Sequence, residues 1–471
     1  MTFKLQILHA SDLEGGLDAI ENAPNFATIV GALETDAANG GFASILLSSG
    51  DNYIPGPFFN AGGDFGLDDT YEGFYNQLFG LIDISVLNGT ADTNGDGFFD
   101  NNEIQAEIDL GNVTFEQVYT TDVNGDGSAD YFEEIDTESG RLDIAIMNAL
   151  GFDASAVGNH EFDAGTDIFE NIINFDSEEG NALSTGRYGN VNYLQEVDTP
   201  GAQFPYLSAN LDFSMDFDVG ELFTDAILDA ESFASDLLSA RDNPLDPSAT
   251  AGDSNDAKVA PATIITRDGQ QIGVVGATTQ LVSQISSTGD IEDKTSPGAE
   301  DMAALAALLQ PVIDDIIDGA DNVAGNGDDV NKVILVSHLQ QFALEEELAG
   351  LLRGVDIILA GGSDTISADA QDPLRAGDAA EQPYPKIVTD LDGNPTAIMS
   401  TDGEYSYVGR LVVEFDDNGV LLPGSIDENV SGTYATDESG VLAVTGATTV
   451  EDAIAASDKG TAVANLTGEV T

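Results

Sequence analysis

Cysteine is absent from this 471-residue chain, which excludes disulfide staples and thiolate chemistry. That absence assigns no compartment, because a large exported protein needs no staples. Tryptophan is missing too, and basic residues are scarce: 13 Lys and Arg stand against 85 Asp and Glu, a formal net charge of -72. Such an excess repels nucleic acid and anionic membrane, and argues against either as a binding surface. It also strains the compact state unless ions screen it; at 1 M salt the Debye length falls to about 3 Å. A halophilic, marine or calcium-containing setting is implied. No apolar run reaches the roughly 18 residues of a membrane span, and no leader peptide is visible ahead of the first strand pattern. Acidic chains tend to be disordered. Here 42% hydrophobic residues fall into strand and helix patterns, enough to build a core.

Against this background the three histidines are informative. One lies in Gly158-Asn159-His160-Glu161-Phe162-Asp163, directly after the strand-like run 154–157. Asp12-Leu13-Glu14 follows the apolar run 5–8, Gly50-Asp51-Asn52 follows 45–47, and Ser337-His338 follows 333–336. Four strand ends that offer carboxylate, amide or imidazole donors are what a two-metal hydrolytic site requires. His9 sits within its strand and reads as structural. Glu161 and Phe162 read as local packing and capping residues, and Asn52 is left open between phosphate contact and a supporting role.

The rest of the chain alternates strand and helix. Strands are expected at 3–9 and 44–49, and helices at 21–33, 71–79 and 141–150, the last ended by Gly151. This pattern with donors at strand C-termini describes a layered α/β fold. A polar excursion at 212–256 is expected to be partly helical over 221–238. From 429 the chain is rich in Gly, Ser, Thr and Ala.

Between 81 and 140 lies an insertion with two calcium-loop patterns. The first offers Asp92, Asn94, Asp96, Asp100 and Glu103, and the second Asp122, Asn124, Asp126, Asp130 and Glu133. These are positions 1, 3, 5, 9 and 12 of the EF-hand loop, with Gly at 6; Phe98 and Ser128 occupy position 7, which ligates through its carbonyl. Structural Ca²⁺ is expected there. The stretch 318–329 offers oxygen donors without that spacing, and reads either as a cation loop or as a plain turn.

The ordered set Asp12-x-Glu14, Gly50-Asp51, Gly158–Asp163, His338 and Gly361-Gly362 resembles the calcineurin-like metallophosphoesterases, in their 5'-nucleotidase branch. The segments 204–210, 267–276, 354–362 and 407–411 extend the likeness over most of 3–425. The resemblance implies an α/β/β/α fold with acidic insertions: a metallophosphatase domain at 1–428, and a C-terminal extension, or the start of a missing domain, at 429–471. It implies two divalent ions bridged by Asp51, with Asp12 and Glu14 on one and Asn159 and His338 on the other. Asn159 and His160 would contact the phosphate. His160 would assist the leaving oxygen, oriented by Asp163, while hydroxide generated at the metals attacks. The implied activity is a secreted phosphatase acting on phosphomonoesters, nucleotides included. Cyclic-nucleotide phosphodiesterase activity, or a calcium-stabilised surface protein on a decayed fold, stand as alternatives. Retention of the site set argues against decay. An extracellular or periplasmic, bacterial location follows from the resemblance, through a trimmed leader or an export signal beyond Thr471.

Two departures bear on the metals. Glu14 stands where the family has His, and Ser363-Asp364-Thr365 where it has an imidazole-bearing turn, with Asp364 a replacement donor. Oxygen in place of nitrogen favours Ca²⁺, Mn²⁺ or Mg²⁺ over Zn²⁺.

The paired loops generate a direct expectation. An ion that binds only the folded state adds RT ln(1 + [L]/Kd), roughly 2.7 kcal/mol at a hundred times Kd. Asp92→Ala combined with Asp122→Ala should therefore abolish the calcium-dependent rise in melting temperature. Identical wild-type melting curves with and without calcium would remove the loops' structural role.

Overall fold

The computed structural model describes residues 2–79, 135, 137–177, 197–234, 257–295, 299–319 and 330–468. The two calcium-loop patterns and the second half of the 212–256 excursion lie outside the described residues.

Two sheets stack face to face. The first runs Leu421–Leu422, Tyr407–Phe415, Phe3–Ala10, Ala43–Ser48, Ala154–Ala156, Tyr206–Leu207 and Val259–Ala260, with Gly432–Ala435 also paired to Tyr407–Phe415. The second runs Lys386–Thr389, Pro395–Met399, Ile357–Gly361, Val333–His338, Gln270–Thr278, Ala262–Arg267 and Leu228–Asp229. Asp268 and Gly269, both left-handed at φ 51° and 74°, close the hairpin between Ala262–Arg267 and Gln270–Thr278. That is the two-residue turn Asp-Gly favours.

Side-chain alternation builds the layers. Within Phe3–Ala10, Leu5 and Ile7 face the inter-sheet core, whereas Leu8 and Ala10 face the helices outside it. In Val333–His338, Ile334 and Val336 point between the sheets and Val333 and Leu335 point outward. The outer face of the first sheet is covered by α1 (Ala19–Gly40) and α2 (Arg141–Leu150), and that of the second by α3 (Met302–Ile317) and α4 (Phe342–Ala349). The result is the α/β/β/α order.

Five strands carry the site: β1 (Phe3–Ala10), β2 (Ala43–Ser48), β3 (Ala154–Ala156), β4 (Val333–His338) and β5 (Ile357–Gly361). β1 to β3 run parallel in one sheet, and β4 and β5 run parallel in the other. Their C-terminal ends meet at one edge of the sandwich. His338 shares the parity of Ile334 and Val336, so period-2 geometry aims it between the sheets. There its Nδ1 lies 2.9 Å from the Ser49 carbonyl at the end of β2. Gly361 makes this closure possible. A Cβ there would meet the Ser49 carbonyl oxygen at 2.7 Å and His338 Nδ1 at 3.0 Å.

One local expectation is revised. Residues 221–234 are not a helix: they hold short 3-10 turns at Val219–Leu222 and Ala230–Phe233 around the strand Leu228–Asp229. That strand pairs with Ala262–Arg267, and Thr263 Oγ1 donates to the Leu228 carbonyl at 2.8 Å, so edge pairing overrides the local pattern. Residues 432–468 supply an antiparallel strand and the helices Glu438–Thr445, Val450–Ala455 and Asp458–Gly468, of which the last packs along α1. Val441, Ala453, Val463 and Leu466 are buried there. No helix among the described residues is long and apolar enough to cross a membrane.

Candidate active site

Each strand end turns sharply to present its side chain. Asp12, Glu14, Asp51, Gln340 and Asp364 all have positive φ, between 47° and 72°. Non-glycine residues in that region cost about 1–3 kcal/mol each and persist only where surrounding contacts enforce them. Here the contacts are visible. The Glu14 amide donates to the Asp51 carbonyl at 2.8 Å, and the Glu404 amide to the Asp12 carbonyl at 3.0 Å. The Gly362 amide, just past β5, donates to both Asp12 carboxylate oxygens at 2.7 and 3.0 Å.

Asp51 is central. One oxygen accepts from the His160 amide at 2.8 Å, and the other lies 2.8 Å from His338 Nε2 and 3.9 Å from His160 Nε2. Donor atoms of Asp12, Asp51 and His338 lie within 4.8 Å of one another, as do those of Glu14, Asp51 and His160. Asp51 belongs to both groups. Asn159 Oδ1 lies 3.2 Å from His338 Nε2.

The turn that holds Asp51 depends on Glu161. Its buried carboxylate accepts from the amides of Asp51, Asn52 and Gly158 at 3.1, 2.9 and 2.8 Å, and from Asn52 Nδ2 at 3.1 Å. Asn52 also bonds Ser48, Ser155 and Tyr206, so it supports the site from behind. Beyond the cluster, His160 Nδ1 lies 2.5 Å from Asp163 Oδ2, and Asp163 Oδ1 accepts from Ser286 Oγ at 3.1 Å. His9 is buried in β1, with Nε2 2.9 Å from the Tyr384 hydroxyl and remote from this chemistry.

Electrostatics suit the cluster to a cation. Burial, with Asp51 and Asp364 adding repulsion, pushes Asp12 well above the usual carboxylate range. Burial and the charges of Asp364 and Asp51 push Glu14 up to about 7. Burial opposes charge on His338, but Asp51 and Asp12 outweigh it and raise the imidazole to about 10. Asp51 is also opposed by burial, and is nonetheless held low by His338 and His160. These carboxylates cannot all ionise without added positive charge. His338 Nδ1 faces a carbonyl, which can only accept, so Nδ1 keeps its proton, and Nε2, which pairs with Asp51, is the nitrogen that would be freed for an ion. Carboxylates, imidazoles and an amide sharing one carboxylate form a donor set that fits divalent ions.

No family model matches the chain. Mouse (Mus musculus) 5'-nucleotidase is 27% identical over 303 residues, 62% of this chain and 38% of the mouse protein. The trifunctional nucleotide phosphoesterase YfkN of Bacillus subtilis is 23% identical over 329 residues, 68% of this chain and 17% of that protein. The chain is a homologue of the 5'-nucleotidases. It spans about two-fifths or less of the length of these relatives. The 5'-nucleotidase precursor of Thermus thermophilus superposes with a TM-score of 0.46 at 18% identity, over 91% of this chain and 56% of that one. Metallophosphoesterases use divalent metals.

Within this 5'-nucleotidase homologue, the structure brings Asp12, Glu14, Asp51, Asn159, His160, Asp163 and His338 to one strand edge. By proximity, its titratable donors fall into two groups around Asp51. Asp12 lies with His338, and Glu14 with His160, on the two sides of Asp51. Asp364 is exposed beside Glu14, while Ser363 and Thr365 hydrogen-bond each other at 2.9 Å. Sequence reasoning did not single out Gln340, whose Nε2 lies 2.5 Å from Asn159 Oδ1. A Gln two residues after a strand-end His has no pattern to mark it. Glu161 was read as a local capping residue, which the three amides on its carboxylate agree with.

Glu161→Ala removes the acceptor for three buried amides. Each orphaned group costs about 1–3 kcal/mol, and loss of such supporting contacts weakens metal affinity about 10–100-fold. Urea denaturation should show the stability loss, and Mn²⁺ calorimetry the weaker binding. Wild-type Mn²⁺ affinity in this variant would mean that Glu161 does not hold Asp51 in place.

Proposed function

We propose that this chain hydrolyses phosphomonoesters, nucleotides among them, at a site where two divalent ions share Asp51. The observation that carries the reading is the double membership of Asp51, with Asp12 and His338 on one side and Glu14 and His160 on the other. Asp12, Glu14, Asp51, Asn159 and His338 would hold the ions, with Asp364 beside Glu14. When bound, such a pair polarises a phosphate ester and supplies the nucleophile at neutral pH.

Of the donors grouped around Asp51, His160 is the one assigned to proton transfer rather than to an ion. Burial opposes its charged form, but Asp51 and Asp163 together raise its pKa, which favours the protonated form a general acid needs. Asp163 engages Nδ1 and is itself fixed by Ser286, which leaves Nε2 to protonate the departing oxygen. No serine or cysteine nucleophile is needed.

Oxygen donors at Glu14 and Asp364 favour Ca²⁺, Mn²⁺ or Mg²⁺ over Zn²⁺. The EF-hand-like loops would add structural Ca²⁺, and the net charge of -72 suits a salt- or calcium-rich extracellular or periplasmic setting.

His160→Ala should lower turnover of an aryl phosphate by about 10²–10⁴, the usual share of an acid–base group, with metal content unchanged. Wild-type turnover in this variant would overturn the role of His160. Absence of any metal-dependent phosphatase activity in the wild type would overturn the function.

A further inference from the structure

We propose that Gln340 is a protein ligand, through its side-chain amide oxygen, of the ion held by Asp51, Asn159 and His338. The inference rests on the two-ion reading above and deepens it.

The Gln340 amide reaches the atoms that face this ion. Its Nε2 position lies 2.5 Å from Asn159 Oδ1 and 3.1 Å from His338 Nε2, and His338 Nε2 is 2.8 Å from Asp51 Oδ2. Without a cation, the amide presents its N–H group and donates to Asn159. A half-turn about the last side-chain bond puts Oε1 in the same place. Asp51, Asn159, His338 and Gln340 then present three oxygens and one nitrogen to one point.

Two further features act to keep the amide there. Gln340 sits at φ 72°, a conformation costly for a branched or long side chain and natural for glycine. A glutamine kept there at that cost brings its amide into the cluster immediately after β4. Gly362 leaves the matching space: a Cβ there would meet Gln340 Nε2 at 2.7 Å and His338 Nε2 at 2.8 Å. The turn after β5 offers Ser363 and Thr365, which bond each other. The donor on this side of the ion comes instead from the loop after β4.

The test separates a ligand from a hydrogen-bond donor. Mn²⁺ is titrated into the full chain and followed by pulsed electron paramagnetic resonance for coupling to imidazole nitrogen. The signal lost in His338→Ala defines the ion in question. Gln340→Gly removes the side chain without backbone strain, and should weaken that ion about 10–100-fold, the loss typical of removing a group that supports a metal. Gln340→Glu keeps an oxygen in place but cannot donate to Asn159, and should bind the ion at least as tightly as wild type. Wild-type affinity in Gln340→Gly overturns the inference. So does an affinity in Gln340→Glu as weak as in Gln340→Gly, because the side chain would then act only as an N–H donor. If the wild type shows no imidazole-coupled Mn²⁺, the two-ion reading fails and this inference with it. Failure confined to the Gln340 variants leaves that reading standing.

Discussion

The carboxylate of Asp51 is the constraint on which the rest of the site depends. It is buried, it touches two imidazoles, and it is common to both clusters of potential ligands. A charge so placed is costly unless it is paired and hydrogen-bonded. The chain meets that cost with the His160 amide on one oxygen, His338 on the other, and Glu161 beneath the turn that carries it. Glu161 is itself pushed up to about 7 by burial and by Asp51, so two acids are stacked where one would already be strained. Such an arrangement calls for positive charge, which a divalent cation could supply.

The fold makes this constraint possible through parity and contact between sheets. Parallel strands bring their C-terminal ends to one edge, and alternation aims His338 between the layers rather than toward the helices. Strain is concentrated at the same edge, where Asp12, Glu14, Asp51, Gln340, Asp364 and Glu404 adopt left-handed backbone. The rigid sandwich on either side, whose core side chains are almost fully buried, is what keeps those conformations in place.

Much of this could be read from the residues. The apolar runs ending in Asp12, Asp51, Asn159-His160 and His338 marked both the strands and their functional ends, because period-2 burial and clustered donors leave plain traces. Helix α2 was legible from its apolar face and the Gly151 stop. The segment 221–234 was not. Its spacing of Leu222, Phe223, Ile227 and Leu228 suits a helix, and only pairing with Ala262–Arg267 decides otherwise. The C-terminal helices were hidden by small residues. Those residues permit close packing on α1: Gly460 sits where a Cβ would meet Thr28 Oγ1 at 2.3 Å. Gln340 was invisible for another reason, since its neighbours Asn159 and Gly362 are brought to it by tertiary structure alone.

The central claim, that two ions share Asp51, is tested most directly by anomalous diffraction from crystals soaked in Mn²⁺. The account predicts two anomalous peaks about 3.5–4 Å apart, with the Asp51 carboxylate between them, one beside His338 and one beside Glu14. A single peak at this edge, or peaks confined to the acidic loops elsewhere, would contradict it.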